Sequence, residues 1–154
     1  MSIVAKIYRG DLVDLTHIGH VAVVDDAGKL LYYYGNPQRM TFARSSAKPM
    51  QAIPVVESGA LDAYGITDRE LALICASHSG ESFHVEAVRS ILQKAGLDES
   101  YLQCGTHYPF AEYAAAELRS RNQKPAEVHC NCSGKHSGML ITAKHLAEDL
   151  DTYY

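Results

Sequence analysis

The chain has 154 residues, 47 % apolar and 21 % charged, with a formal charge of −4. That composition excludes a disordered chain, a collagen and a coiled coil, and the length suits one domain of about 100–150 residues. Fourteen basic residues against eighteen acidic ones, dispersed without a Lys/Arg run, argue against nucleic acid or an anionic membrane as partner.

No apolar run approaches the ~20 residues of a membrane span. Lys6 and Arg9 interrupt the N-terminal apolar stretch, so no signal peptide is expected and the cytoplasm is the expected location. The four cysteines lack the spacing of a small disulfide framework and read as thiols or metal ligands.

Residues 3–8, 20–25 and 29–34 read as strands, the last two flanking a hairpin turn that ends in Gly28. Asn36-Pro37 ends the third run. From residue 45 the pattern turns helical. Ser45 or Ser46 is expected to cap a first helix that tolerates Pro49 and is kinked or shortened at Pro54. Thr67 and Glu70 form a capping box before a short apolar run. Val85, Val88, Ile91, Leu92 and Ala95 make a helical stripe over 83–95 that Gly96 stops. A short Ala-rich helix is expected over 111–121, and a further helix over 134–148. The expected class is α/β of the α+β kind, with antiparallel N-terminal strands followed by helices.

Three segments carry chemistry. In Arg44-Ser45-Ser46-Ala47-Lys48, Ser45 and Lys48 stand at i, i+3, which puts hydroxyl and amine on one helical face. The amine could take the serine proton for acyl transfer, with Arg44 binding a carboxylate. The same residues also read as an N-cap followed by a solvated lysine. The second segment, Ser77-His78-Ser79-Gly80, follows a buried run and reads either as a convergence of polar side chains or as a serine-rich turn. The third is His129-Cys130-Asn131-Cys132-Ser133-Gly134-Lys135-His136. Cys130, Cys132, His129, His136 and His107 are available as zinc donors, though their spacing fits no standard finger. Gly134-Lys135 does not fit a phosphate-binding loop.

Taken together, these segments resemble the bacterial L-asparaginase II family of the Rhizobium etli type. The resemblance rests on R-S-S-A-K-P-M-Q-A-I-P-V-V-E-S-G-A, E-L-A-L-I-C-A-S-H-S-G-E, L-Q-C-G-T-H-Y-P and N-C-S-G-K-H-S-G-M-L, which run in family order. It implies a fold similar to serine β-lactamases and penicillin-binding proteins. It also implies hydrolysis of L-asparagine to L-aspartate and ammonia through Ser–Lys pairs. Ser45 and Lys48 match the first pair, and Ser77 matches the serine of the second. Cys132 and Lys135 match two of three zinc ligands, and Arg44 and His136 match positions near the substrate. Family members run to well over 300 residues, so residues 1–154 correspond to the N-terminal half. A homo-oligomer, or a C-terminal half in trans, is therefore the expected partner. Two alternatives accompany this reading. One is a catalytically incomplete half-domain that binds an amino acid or a partner chain. The other is a penicillin-interacting serine acyltransferase, against which the missing Ser-Asp-Asn and Lys-Thr-Gly segments count.

Overall fold

Four antiparallel strands precede six α-helices in the computed structural model, which describes residues 2–154. This is the expected α+β class. The chain forms two units, one running to Phe42 and the other spanning Ala43–Tyr154.

The first unit is built from two hairpins. Strand β1 (Ile3–Arg9) pairs with β2 (Leu12–Ile18), with Arg9 opposite Leu12. The two-residue loop Gly10-Asp11 has a positive φ only at Gly10 (+62°), the pattern of a type II′ turn. Strand β2 carries little sequence signal, because the stretch Leu12–Ile18 alternates apolar and polar residues only weakly. Strand β3 (Val21–Val24) pairs with β4 (Leu30–Tyr34) across the expected turn. There the Asp25 carboxylate accepts from the Lys29 and Ala27 N–H groups at 2.8 and 3.1 Å, and Gly28 takes φ +79°. Most of the strand side chains stay exposed, Leu12 and Tyr32 among them.

The second unit places its core around one helix. The helices are α1 (Lys48–Glu57), α2 (Ala60–Tyr64), α3 (Asp68–Ile74), α4 (Ser82–Lys94), α5 (Glu112–Ser120) and α6 (Ser133–His145). Neither Ser45 nor Ser46 caps α1. A 3-10 turn (Arg44–Ala47) runs into it, Ala47 occupies the N-cap, and Ser46 Oγ bonds back to Ala43 O. Helix α1 continues through Pro54 to Glu57. The capping box forms as expected, with the Glu70 carboxylate accepting from the Thr67 N–H at 2.8 Å. That carboxylate also takes Lys94 and Ser90, each at 2.6 Å, which ties α3 to α4. Among the described residues, no helix is long and apolar enough to cross a membrane.

Helix α6 packs against α1, α2, α3 and α4. Leu140 and Ile141 of α6 are fully buried with Val55 of α1, Ile74 of α3 and Val88 and Ile91 of α4. Gly134 and Gly138, one turn apart, let α3 lie directly on α6. A Cβ at Gly134 would sit 2.6 Å from the Leu73 carbonyl oxygen, and one at Gly138 2.6 Å from Ile74 Cγ2. This contact matters for the site, because α3 leads into the Ser77 turn and α6 begins beside it.

Gly134→Ala tests the contact. Helix propensity alone would favour alanine by about 1 kcal/mol. The clashing atom is backbone and cannot rotate away, so overpacking of about 1–3 kcal/mol should outweigh that gain. The urea midpoint is expected to fall, and a higher midpoint would show that α3 and α6 have room to spare.

Candidate functional site

Lys48, 3 % exposed, projects its amine into the junction of three segments. Its Nζ lies 2.9 Å from Ala76 O, 2.8 Å from Ser77 Oγ and 3.1 Å from Asn131 O. The Ala76–Ser77 partners lie just beyond α3, and Asn131 just before α6. Both carbonyls can only accept. The Ser77 hydroxyl can donate or accept. The Lys48 amine donates to both carbonyls and to the Ser77 oxygen, so all three of its hydrogen-bonding positions are used. Ser77 itself is exposed, so a solvent-borne substrate can reach the hydroxyl that the buried amine holds.

This is not the pairing that the i, i+3 spacing suggests. Ser45 is exposed in the 3-10 turn immediately before α1, and all three Lys48 contacts are made elsewhere. Arg44 is also exposed and has φ +50°. For a non-glycine residue that left-handed backbone is uncommon and clusters at functional positions.

His136 and His78 are both buried, close enough to Lys48 for its charge to act on each ring. The Gln103 N–H donates to Tyr153 Oη at 2.9 Å, and Tyr153 Oη lies 2.7 Å from His136 Nδ1. The Tyr153 phenol thus links the His136 ring to the Gln103 backbone. Burial, with Lys135 and Lys48 nearby, pushes the His136 pKa down to about 4. His78 is likewise held down to about 4, by burial first and then by His84, Lys48, His107 and His129.

Cys132 is the N-cap of α6 and Lys135 lies in its first turn, so the two share one face. Cys132 Sγ, Cys130 Sγ and His107 Nε2 all lie against the Asn131 side-chain oxygen, at 3.5, 3.8 and 3.2 Å. Cys130 turns to Cys104, its Sγ 3.4 Å from Cys104 O. His129 Nδ1 receives the Ala126 N–H at 3.0 Å, and His107 Nε2 receives the Asn131 N–H at 3.0 Å. Among the described residues, no three His, Cys, Asp or Glu side chains converge as a metal site. Zinc sites draw three or four protein donors. Cys132 and Lys135 alone fall short of that set.

Sequence reasoning did not anticipate Asn131, His78 or Tyr153 in this cluster. Asn131 acts through its carbonyl, which every residue carries. His78 stands out in the sequence only as part of a serine-rich segment. Tyr153 reaches the site by a contact across the fold that no local pattern signals.

Acid should unfold the protein in two stages. His78 is neutral in the fold down to about pH 4 against an ordinary 6.5. Protonation therefore favours the unfolded chain, and stability is lost as pH falls from 6.5 towards 4. For Glu70, burial alone would raise the pKa, but the bonds from Lys94, Ser90 and Thr67 pull it from 4.5 to about 2. Its contribution is lost between those values. Urea midpoints from pH 7 to 3 should fall through both windows, and a flat profile above pH 5 would contradict a neutral buried His78.

The sequence matches the family model for L-asparaginase II over residues 5–154. No curated protein gives a significant match. With nearly its whole length covered by that match, the chain belongs to the L-asparaginase II family.

Proposed function

We propose that the chain carries out, or forms the lobe that carries out, hydrolysis of L-asparagine to L-aspartate and ammonia, with Lys48 as the proton carrier. The observation behind this reading is the 2.8 Å contact between the buried Lys48 amine and the exposed Ser77 hydroxyl. Lys48 takes the Ser77 proton as Oγ attacks the side-chain amide carbon. The tetrahedral adduct then collapses, the C–N bond breaks, and Lys48 returns the proton to the departing ammonia. Water hydrolyses the aspartyl ester by the reverse proton path.

The family resemblance gives the nucleophile's part to Ser45. In that version Ser45 attacks and Ser77 passes its proton on to Lys48. The exposure of Ser45 directly before the Lys48 turn favours keeping this second version in the test. Arg44 grips the substrate carboxylate, and His136 helps to line the substrate site. Cys132 and Lys135 are proposed as zinc ligands that need further donors, and no step of the reaction is routed through the metal. The β-lactamase-like architecture and a cytoplasmic setting belong to the same reading, the latter in keeping with four free thiols. So does association with a second copy or a C-terminal half, which the exposed apolar side chains of the hairpins support.

Ammonia release from L-asparagine is the test. Lys48→Met should cost about 10²–10⁴-fold in kcat. Ser45→Ala and Ser77→Ala separate the two versions, because the nucleophile is the serine whose loss abolishes the aspartyl-enzyme adduct in a quenched mass spectrum. Full activity in Lys48→Met would end the proposal. Absence of turnover in the folded chain, with asparagine still raising its melting temperature, would favour an incomplete binding lobe.

A further inference from the structure

Both ring nitrogens of buried His78 are engaged, and each partner dictates what its nitrogen must do. The Gly80 N–H lies 3.1 Å from Nδ1, so Nδ1 accepts and carries no proton. Ser133 Oγ spends its only proton on Val128 O at 2.9 Å. It can therefore only accept from His78 Nε2, 2.8 Å away. The ring is the neutral Nε2–H tautomer, and its proton points at Ser133, away from the reacting groups.

The ring ties the turn that carries Ser77 to the first turn of α6. The backbone of that turn is fixed as well. The His78 N–H donates to Asn131 O at 3.3 Å, and the Ala111 N–H to Ser79 O at 2.9 Å. Gly80, at φ +76°, has no room for a side chain, since a Cβ would lie 2.9 Å from Pro109 Cβ. Asn131 O also accepts from Lys48. The turn, the start of α6 and the amine thus share one frame, and His78 is the side chain that crosses it.

We infer that His78 is a positioning residue, whose hydrogen bonds to Ser133 and Gly80 hold the Ser77 hydroxyl against the Lys48 amine. It acts through Ser77 and transfers no proton. The inference rests on the reading that Lys48 and Ser77 handle the reaction's proton. Its physical basis is the steep distance dependence of a hydrogen bond, which a slip of about 1 Å in the turn would break.

The full chain supplies the first readout. A long-range proton–nitrogen correlation spectrum of the His78 ring should show the Nε2–H tautomer at pH 7 and at pH 5. The charged or titratable groups around it are Lys48, His84, His107 and His129, and each, when positive, opposes a charge on His78. An Nδ1–H ring, or an imidazolium at pH 5, would overturn the inference. His78→Asn and Ser133→Ala each cut one link of the chain. In both, acetylation of Lys48 read by mass spectrometry should rise about tenfold, as a local opening requires, while exposed Lys29 and Lys124 keep their rates. Unchanged Lys48 labelling in either folded variant would refute the role. Ser133→Ala removes a single oxygen and serves if His78→Asn does not fold, and the wild-type ring decides if neither does. With asparagine, the variants should lose about tenfold in kcat with little change in KM. If the wild-type chain by itself releases no ammonia, it is an incomplete lobe, and ring tautomer and labelling still decide the positioning role.

Discussion

Burying the Lys48 amine obliges three distant segments to meet. An unpaired amine in the interior would cost several kcal/mol, on the order of 2–7 even when neutral. Every one of its contacts comes from elsewhere in the chain: the carbonyl and hydroxyl just beyond α3, and the carbonyl just before α6. The start of α1, the Ser77 turn and the start of α6 are therefore held together by one nitrogen. Any shift of one segment leaves a polar group without a partner, which makes the junction stiff and keeps the Ser77 hydroxyl in a defined place.

That junction is possible only because α3 and α6 approach so closely. Gly134 and Gly138 remove the side chains that would separate them. The Glu70 carboxylate meanwhile gathers Thr67, Ser90 and Lys94 and sets α3 against α4. The apolar core and the polar site are thus layers of one packing arrangement around α6. Its apolar residues face α1, α3 and α4, and its first turn carries Cys132, Lys135 and His136 to the edge of the site.

Chemically, the arrangement separates exposure from activation. Ser77 is open to solvent while the amine that can receive its proton is not. An amine fixed by two carbonyls and bonded to the hydroxyl is held in place before substrate arrives. The neutral rings of His78 and His136 lie beside it without adding positive charge. This suits amide hydrolysis, in which a proton must leave a serine and later reach a poor leaving group.

Local order could be read from the residues in a row. The Thr67/Glu70 capping box, the stripe over 83–95 and the turn ending in Gly28 all form, because each is decided by side chains within a few positions of one another. The weakly patterned β2 escaped, although Gly10-Asp11 held the turn signal that could have revealed it. Residue identity and family likeness singled out Lys48, Ser77, Cys132 and Lys135. They could not say which groups meet. Spacing pointed Lys48 at Ser45, three residues away, whereas the fold gives it Ser77 and Asn131, 29 and 83 residues along the chain. Periodicity records which face of an element a residue occupies. Which carbonyl or hydroxyl stands opposite that face is set by how the helices pack, and here that packing turned on two glycines and one buried amine.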